Sequence, residues 1–181
     1  IGVKDFNIIS KLPKIDNKNN VSDFIRSEVE RSLTNLKIER LHGLLLHNPI
    51  DIIGNSKFVI IETIEQLKRE KLITNSGYSI YDPEEIIKLN NIYKSDIFQL
   101  PYNIFDRRFE KVIDQKNTSL KNTEIHIRSI FLKGLLLQPS LQEINHYFSK
   151  WTPSFLKWKG WLYDNNIDPL QACLNLIKKN N

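Results

Sequence analysis

Short apolar runs alternate along the chain with longer stretches in which apolar residues return every three or four positions. The first run, Asn7-Ile8-Ile9-Ser10-Lys11-Leu12, stops at Pro13 and gives way to the polar segment from Lys14 to Asn20. From about Ser22 to Leu36, the residues Phe24, Ile25, Val29, Leu33 and Leu36 fall on one stripe. That pattern predicts an amphipathic helix with Ser22 as its N-cap. The second run, from Leu41 to His47, ends at Asn48-Pro49. A helix is expected next, near Lys57 to Glu70, with Val59, Ile60, Thr63, Ile64 and Leu67 inward. The third run, Ile73 to Ile80, contains Gly77 and closes at Tyr81-Asp82-Pro83. Pro83 suits the first turn of a helix, where Glu84 and Glu85 favour the positive end of the dipole. The fourth run, Asp96 to Leu100, stops at Pro101, and a helix around Arg107 to Lys116 separates it from the fifth, Glu124 to Ser129. From Ser140 to Asn181 the chain reads as helices, with Pro153 and Pro169 near two of their starts.

Strands beginning near positions 7, 42, 74, 96 and 124 are spaced 22 to 35 residues apart, which fits strand–loop–helix–loop repeats around a parallel sheet. No shift of composition marks a boundary, so residues 1–181 read as a single domain. Gly-x-Gly-x-x-Gly and Walker patterns are absent, which leaves a Rossmann or P-loop reading without an anchor. A (β/α)-barrel becomes the leading architecture, but a complete one needs eight strands and about 250 residues. The expectation is therefore an α/β fold: a partial TIM barrel of about five parallel strands with outer helices, not closed.

Composition removes several classes. With 40% hydrophobic and 26% charged residues, the chain is neither disordered nor fibrous. The single Cys173 excludes a disulfide framework and a Cys-based zinc set, and no metal site is assigned. One cysteine and no signal-peptide pattern fit a cytoplasmic protein. No apolar run reaches the roughly 18 residues of a membrane helix. The net charge of +5 comes from scattered Lys and Arg, which gives no nucleic-acid footprint. The chain starts at Ile1 and holds no Met, so it is expected to be part of a longer protein.

In a barrel the chemistry sits at the C-terminal ends of the strands. Each apolar run here finishes in a polar residue able to reach that end: Lys11, His47, Ser79, Gln99, then Arg128 with Ser129. Singly, each has a structural explanation as a rim lysine, a hydrogen-bonded histidine or a loop cap. Together they make a ring of donors with one potential base. Alternation puts His42 on the face opposite His47, toward the helices, as a structural residue. His126, two before Arg128, faces inward near the barrel bottom and packs. Asp106-Arg107-Arg108 reads as an ion-paired loop or helix start, and Phe148, Trp151, Phe155, Trp158, Trp161 and Tyr163 as helix packing.

Taken together, these segments resemble the aldo-keto reductases, in order and over nearly the whole chain. Asn7 to Leu12 is similar to the family's third barrel strand, which ends in its catalytic lysine. Leu44-Leu45-Leu46-His47-Asn48-Pro49 is similar to the fourth, with the catalytic histidine. Gly77-Tyr78-Ser79 resembles the fifth-strand Gly-x-Ser, and Phe98-Gln99-Leu100-Pro101-Tyr102-Asn103 the sixth strand. Arg128-Ser129-Ile130-Phe131-Leu132-Lys133-Gly134 resembles the seventh strand with the loop that covers the pyrophosphate. The Gln99 to Arg108 and Arg128 to Gly134 motifs match a bacterial branch most closely.

The resemblance implies hydride transfer from NADP(H) or NAD(H) to a small-molecule aldehyde or ketone. Lys11 and His47 would be catalytic; Ser79, Gln99, Arg128, Ser129, Leu132 and Gly134 would bind the cofactor. Arg128 stands where many members stack an aromatic ring on the nicotinamide, and Ile80 where many have asparagine. The family's tyrosine acid and its aspartate fall before Lys11, and its eighth strand after Asn181. The chain by itself is therefore expected to be an inactive portion, with two unpaired sheet edges prone to aggregation. Two other readings stay open. One is a barrel lyase with a Schiff base on Lys11, which borohydride would trap. The other is a non-catalytic reductase-like binding module, favoured if the preceding sequence lacks the tyrosine.

Overall fold

The computed structural model describes residues 6–15, 20–114, 120–138 and 146–178. Strands β1 (Ile9–Leu12), β2 (Leu41–Leu46), β3 (Ile73–Ser79), β4 (Ile97–Pro101) and β5 (Glu124–Arg128) form one sheet in the order β1-β2-β3-β4-β5. The first four pair in parallel. At β5 the Glu124 N–H donates to Asp96 O at 2.8 Å and the Tyr102 N–H to Arg128 O at 3.1 Å, so residue numbers rise together there too. Helices α1 (Val21–Leu36), α2 (Lys57–Arg69), α3 (Glu84–Asn90) and α4 (Glu110–Asp114) fill the intervals, and α5 (Thr152–Asp164) and α6 (Pro169–Lys178) follow β5. The expected continuation of α4 to Lys116 and the start of the tail near Ser140 lie outside the described residues.

The chain packs as two compact units, Ile1–Leu100 with Lys116–His126, and Pro101–Gln115 with Ile127–Asn181. In the first, register places Ser10 level with Leu44 and Ser76, and Leu12 level with Leu46, Tyr78 and Phe98. This face is the helix-covered one. Ser10 bonds Ser32 of α1 at 3.1 Å, and Ser76 bonds the Tyr93 hydroxyl at 3.1 Å. Lys68 of α2 donates to Tyr93 at 3.1 Å and to Asp96 at 2.7 Å, which ties that helix to the sheet. Ile25, Val29, Leu33, Ile60, Ile64 and Leu67 complete the layer beneath the helices.

The opposite face is creased by two glycines. A Cβ on Gly43 of β2 would lie 2.7 Å from Ile97 Cδ1, although Ile97 sits two strands away, about 10 Å across a flat sheet. A Cβ on Gly77 would fall 1.8 Å from the Ile97 carbonyl oxygen. The sheet of this unit therefore curls toward the Gly43–Gly77 face, and small residues line the fold.

Val59, expected inward on α2, is exposed, and two further local expectations change. The N-cap of α1 is Asn20, whose Oδ1 accepts the Asp23 N–H at 3.2 Å, while Ser22 instead accepts the Thr63 hydroxyl at 3.0 Å. The other concerns His42, which does not point to the helices. Its Nε2 lies 3.1 Å from both Glu124 oxygens and 3.4 Å from Asn75 Nδ2, all strand residues. The N–H groups of both His42 and Gly43 converge on the Ile8 carbonyl, at 2.8 and 3.3 Å, which is the mark of a β-bulge. The extra residue breaks the alternation that would have sent His42 outward. Glu124 also meets His126 Nε2 at 2.7 Å, so one carboxylate lies between two imidazoles.

The second unit is built on Leu136, Phe155, Trp158, Leu162 and Cys173. Trp158 Nε1 donates to Leu136 O at 3.2 Å, and the Trp158 and Trp161 rings stack at 5.7 Å. Pro153 lies in the first turn of α5, where its missing N–H leaves no helical bond unmade.

Candidate active site

Strand register and pleat decide which polar termini share a face. Lys11 is level with Leu45 and Gly77, one step of the pleat before Pro13, and so lies on the Gly43–Gly77 face. Ser79 is level with Gln99, and the Ile80 N–H seals that pair by donating to Gln99 O at 2.9 Å. His47 follows Leu46, whose partner Tyr78 precedes Ser79, so His47, Ser79 and Gln99 form the next row on the same face. The His47 N–H donates to Leu12 O at 3.4 Å, the last rung between β1 and β2. All four residues belong to the first unit.

Their environments differ. Lys11 and His47 are exposed and Gln99 is half-buried. Ser79 is fully buried, and its Oγ has no hydrogen-bond partner among the described residues. A buried hydroxyl without a partner costs on the order of 1–3 kcal/mol. An orphaned donor at the C-terminal end of a barrel strand suits an amide-bearing ligand group.

Past Lys11 and His47 the chain makes a second connection that the sequence pattern did not reveal. A 3-10 turn, Pro49–Ile52, starts just after His47. Asp51 Oδ1 accepts Asn48 Nδ2–H at 2.8 Å, and Asp51 Oδ2 accepts the Ile15 N–H at 3.0 Å. The Asn48-x-x-Asp51 spacing was the available signal, since short polar side chains at that interval close turns. Its long-range arm to Ile15 had none.

In the second unit, the Arg128 carbonyl accepts the Tyr102 N–H, and the Ser129 carbonyl accepts Asn103 Nδ2–H at 3.2 Å. Asn103 Oδ1 in turn takes the Phe105 and Asp106 N–H groups, both at 2.9 Å. Arg108 forks onto Asp106 at 2.9 and 2.8 Å. That fork, opposed by partial burial and helped by the charge of Arg128, holds the Asp106 carboxyl below its ordinary range. Ser129, Leu132, Lys133 and Gly134 all have positive φ, from 48° to 91°. Gly134 accepts φ 91° readily, whereas each of the others carries about 1–2 kcal/mol of strain. The turn closes through Leu132 N–H to Ser129 O at 3.0 Å and Gly134 N–H to Phe131 O at 2.9 Å. Among the described residues no group of three His, Cys, Asp or Glu is placed to hold a metal ion, and no helix is long and apolar enough to cross a membrane.

The Aldo/keto reductase family model matches residues 3–181. The chain belongs to the aldo/keto reductase family. Solved structures of similar fold include a Pseudomonas aeruginosa protein described as an aldo-keto reductase, at 25% identity and TM-score 0.57, covering 71% of this chain and 51% of that one. The holo form of an aldo-keto reductase from Bacillus halodurans matches at 23% identity and TM-score 0.62, over 78% of this chain and 49% of its own. The glycerol dehydrogenase of Gluconobacter oxydans matches at 19% and 0.62, over 88% and 52%. The chain thus spans about half the length of the solved relatives it matches. No curated protein matches the sequence. The parallel sheet with flanking helices is part of the aldo-keto reductase barrel, α/β in class.

Proposed function

We propose that the chain is the catalytic-histidine half of an NAD(P)H-dependent carbonyl reductase and part of one barrel domain. A reduced nicotinamide, when bound, supplies the hydride that reaches the carbonyl carbon of a small aldehyde or ketone. Ser79 Oγ and the Gln99 amide would hold the carboxamide of that ring and so fix which face it presents. The shared face of Lys11, His47, Ser79 and Gln99 carries this reading, and the orphaned Ser79 hydroxyl supports it. His47 would donate a hydrogen bond to the substrate oxygen, where negative charge develops. The Lys11 ammonium would favour a phenolate on a neighbouring tyrosine acid once its proton has left. Turnover also needs that tyrosine and its aspartate, so it is proposed for a chain that supplies them.

Arg128, Ser129, Leu132 and Gly134 would take the cofactor's phosphates. The switch from φ −97° at Phe131 to 48° at Leu132 is the backbone pattern of an anion-binding nest. A cytoplasmic setting accompanies the proposal.

Titration with NADPH and with NADH, read by cofactor fluorescence, tests it. Binding of either one, weakened about tenfold by Ser79→Ala or Gln99→Ala, is the expected result. No binding of either cofactor, or binding indifferent to both substitutions, overturns it. Borohydride trapping of a carbonyl compound on Lys11 would replace it with the lyase reading.

A further inference from the structure

We propose that Asp51 is a positioning residue that straps the loop leaving Lys11 to the turn leaving His47, and so sets how those two side chains stand relative to one another. The inference rests on the reductase reading for its purpose, though not for its geometry. The ladder between β1 and β2 ends at the His47 N–H on Leu12 O. Beyond it the two segments would diverge, one into Pro13-Lys14-Ile15 and the other into the Pro49–Ile52 turn. Asp51 reaches across this gap. Its Oδ2 takes the Ile15 N–H at 3.0 Å, and its Oδ1 takes Asn48 Nδ2–H at 2.8 Å. The Asp51 N–H also donates to Asn48 O at 3.1 Å, which fixes the carboxylate's own backbone. Ile15 is buried, so the loop end that Asp51 grips is itself anchored.

The chemistry of the strap specifies acceptors. Both partners are donors and they address different oxygens, so the short side chain of Asp51 serves both at once. An alanine in place of Asp51 keeps neither bond. An asparagine keeps both: its oxygen accepts from the Ile15 N–H, and its amide donates to Asn48 Oδ1 once the Asn48 amide turns over.

That asymmetry gives the test, on isotopically labelled protein by NMR. Asp51→Ala is expected to speed amide exchange at Ile15 about tenfold relative to Leu44 and Leu45 of the strand core. It is also expected to shift the side-chain signals of Lys11, which is distant in sequence from the substitution. Asp51→Asn is expected to keep both near their native values. Unchanged exchange at Ile15 in Asp51→Ala, or a released Ile15 with unmoved Lys11 signals, overturns the proposal, as does the same release in Asp51→Asn. Should Asp51→Ala not fold, Asn48→Ala keeps the Ile15 bond but loosens the turn, and unmoved Lys11 signals in that variant overturn the proposal equally. NADPH added to the unsubstituted protein reports separately. If Ser79 and Gln99 signals do not respond while the strap behaves as described, the reductase reading falls and the strap stands.

Discussion

Ser79 shows how one side chain can be poor for stability and yet suit the proposed cofactor site. Its buried hydroxyl, without a partner among the described residues, is a cost the fold carries at the end of β3. Ser79→Ala should raise the thermal midpoint, by the equivalent of about 1 kcal/mol, while weakening nicotinamide binding. Differential scanning calorimetry beside a cofactor titration would register both; a lower midpoint would show that the hydroxyl has a native partner. Lys11, His47, Ser79 and Gln99 were legible in the sequence as polar residues closing apolar runs, because strands stop where Pro13, Asn48-Pro49 and Pro101 stop them. The N-cap was not. Asn20 and Ser22 are both good caps, and only the Thr63 hydroxyl, brought up by α2, decides that Ser22 is otherwise engaged.

Between elements, the decisive positions are those where two strands come closest. A Cβ at Gly77 would meet main-chain oxygen, which no rotamer change relieves. Gly77→Ala should therefore cost about 3 kcal/mol and loosen β3 from β4, visible as a lower urea midpoint and faster amide exchange at Ile80. The contact from β2 to β5 is electrostatic. Burial alone would raise the Glu124 carboxyl, but hydrogen bonds and charge from His42 and His126 outweigh it and hold Glu124 below its ordinary value. A carboxyl depressed in the folded state stabilises above its unfolded pKa and loses that contribution as pH falls through its folded one. The gap in thermal midpoint between the native protein and Glu124→Gln should then be present at neutral pH and close below about pH 4. A gap that persists or widens below that pH would contradict this. Periodicity revealed α1 and α2 and every strand, yet it sent His42 to the wrong side. The bulge depends on the Ile8 carbonyl, just ahead of β1, and alternation within a single run cannot register such a partner.

At the level of the whole molecule, the sheet has two ends. Among the described residues β1 pairs only with β2, and β5 stands last in the order at the other side. Exposed strand edges template further pairing, so light scattering should rise with protein concentration under conditions where the far-ultraviolet spectrum is unchanged. Scattering flat across a wide range would show both edges covered. The division into two units also has an optical consequence. Trp151, Trp158 and Trp161 are the only tryptophans in the chain and all belong to the second unit. Trp158 is buried there and the other two are exposed, so indole emission during melting follows that unit, chiefly through Trp158. Amide dichroism sums over both units. Coincident curves would mean that the two halves melt as one, and displaced curves would give each its own midpoint without any label being added.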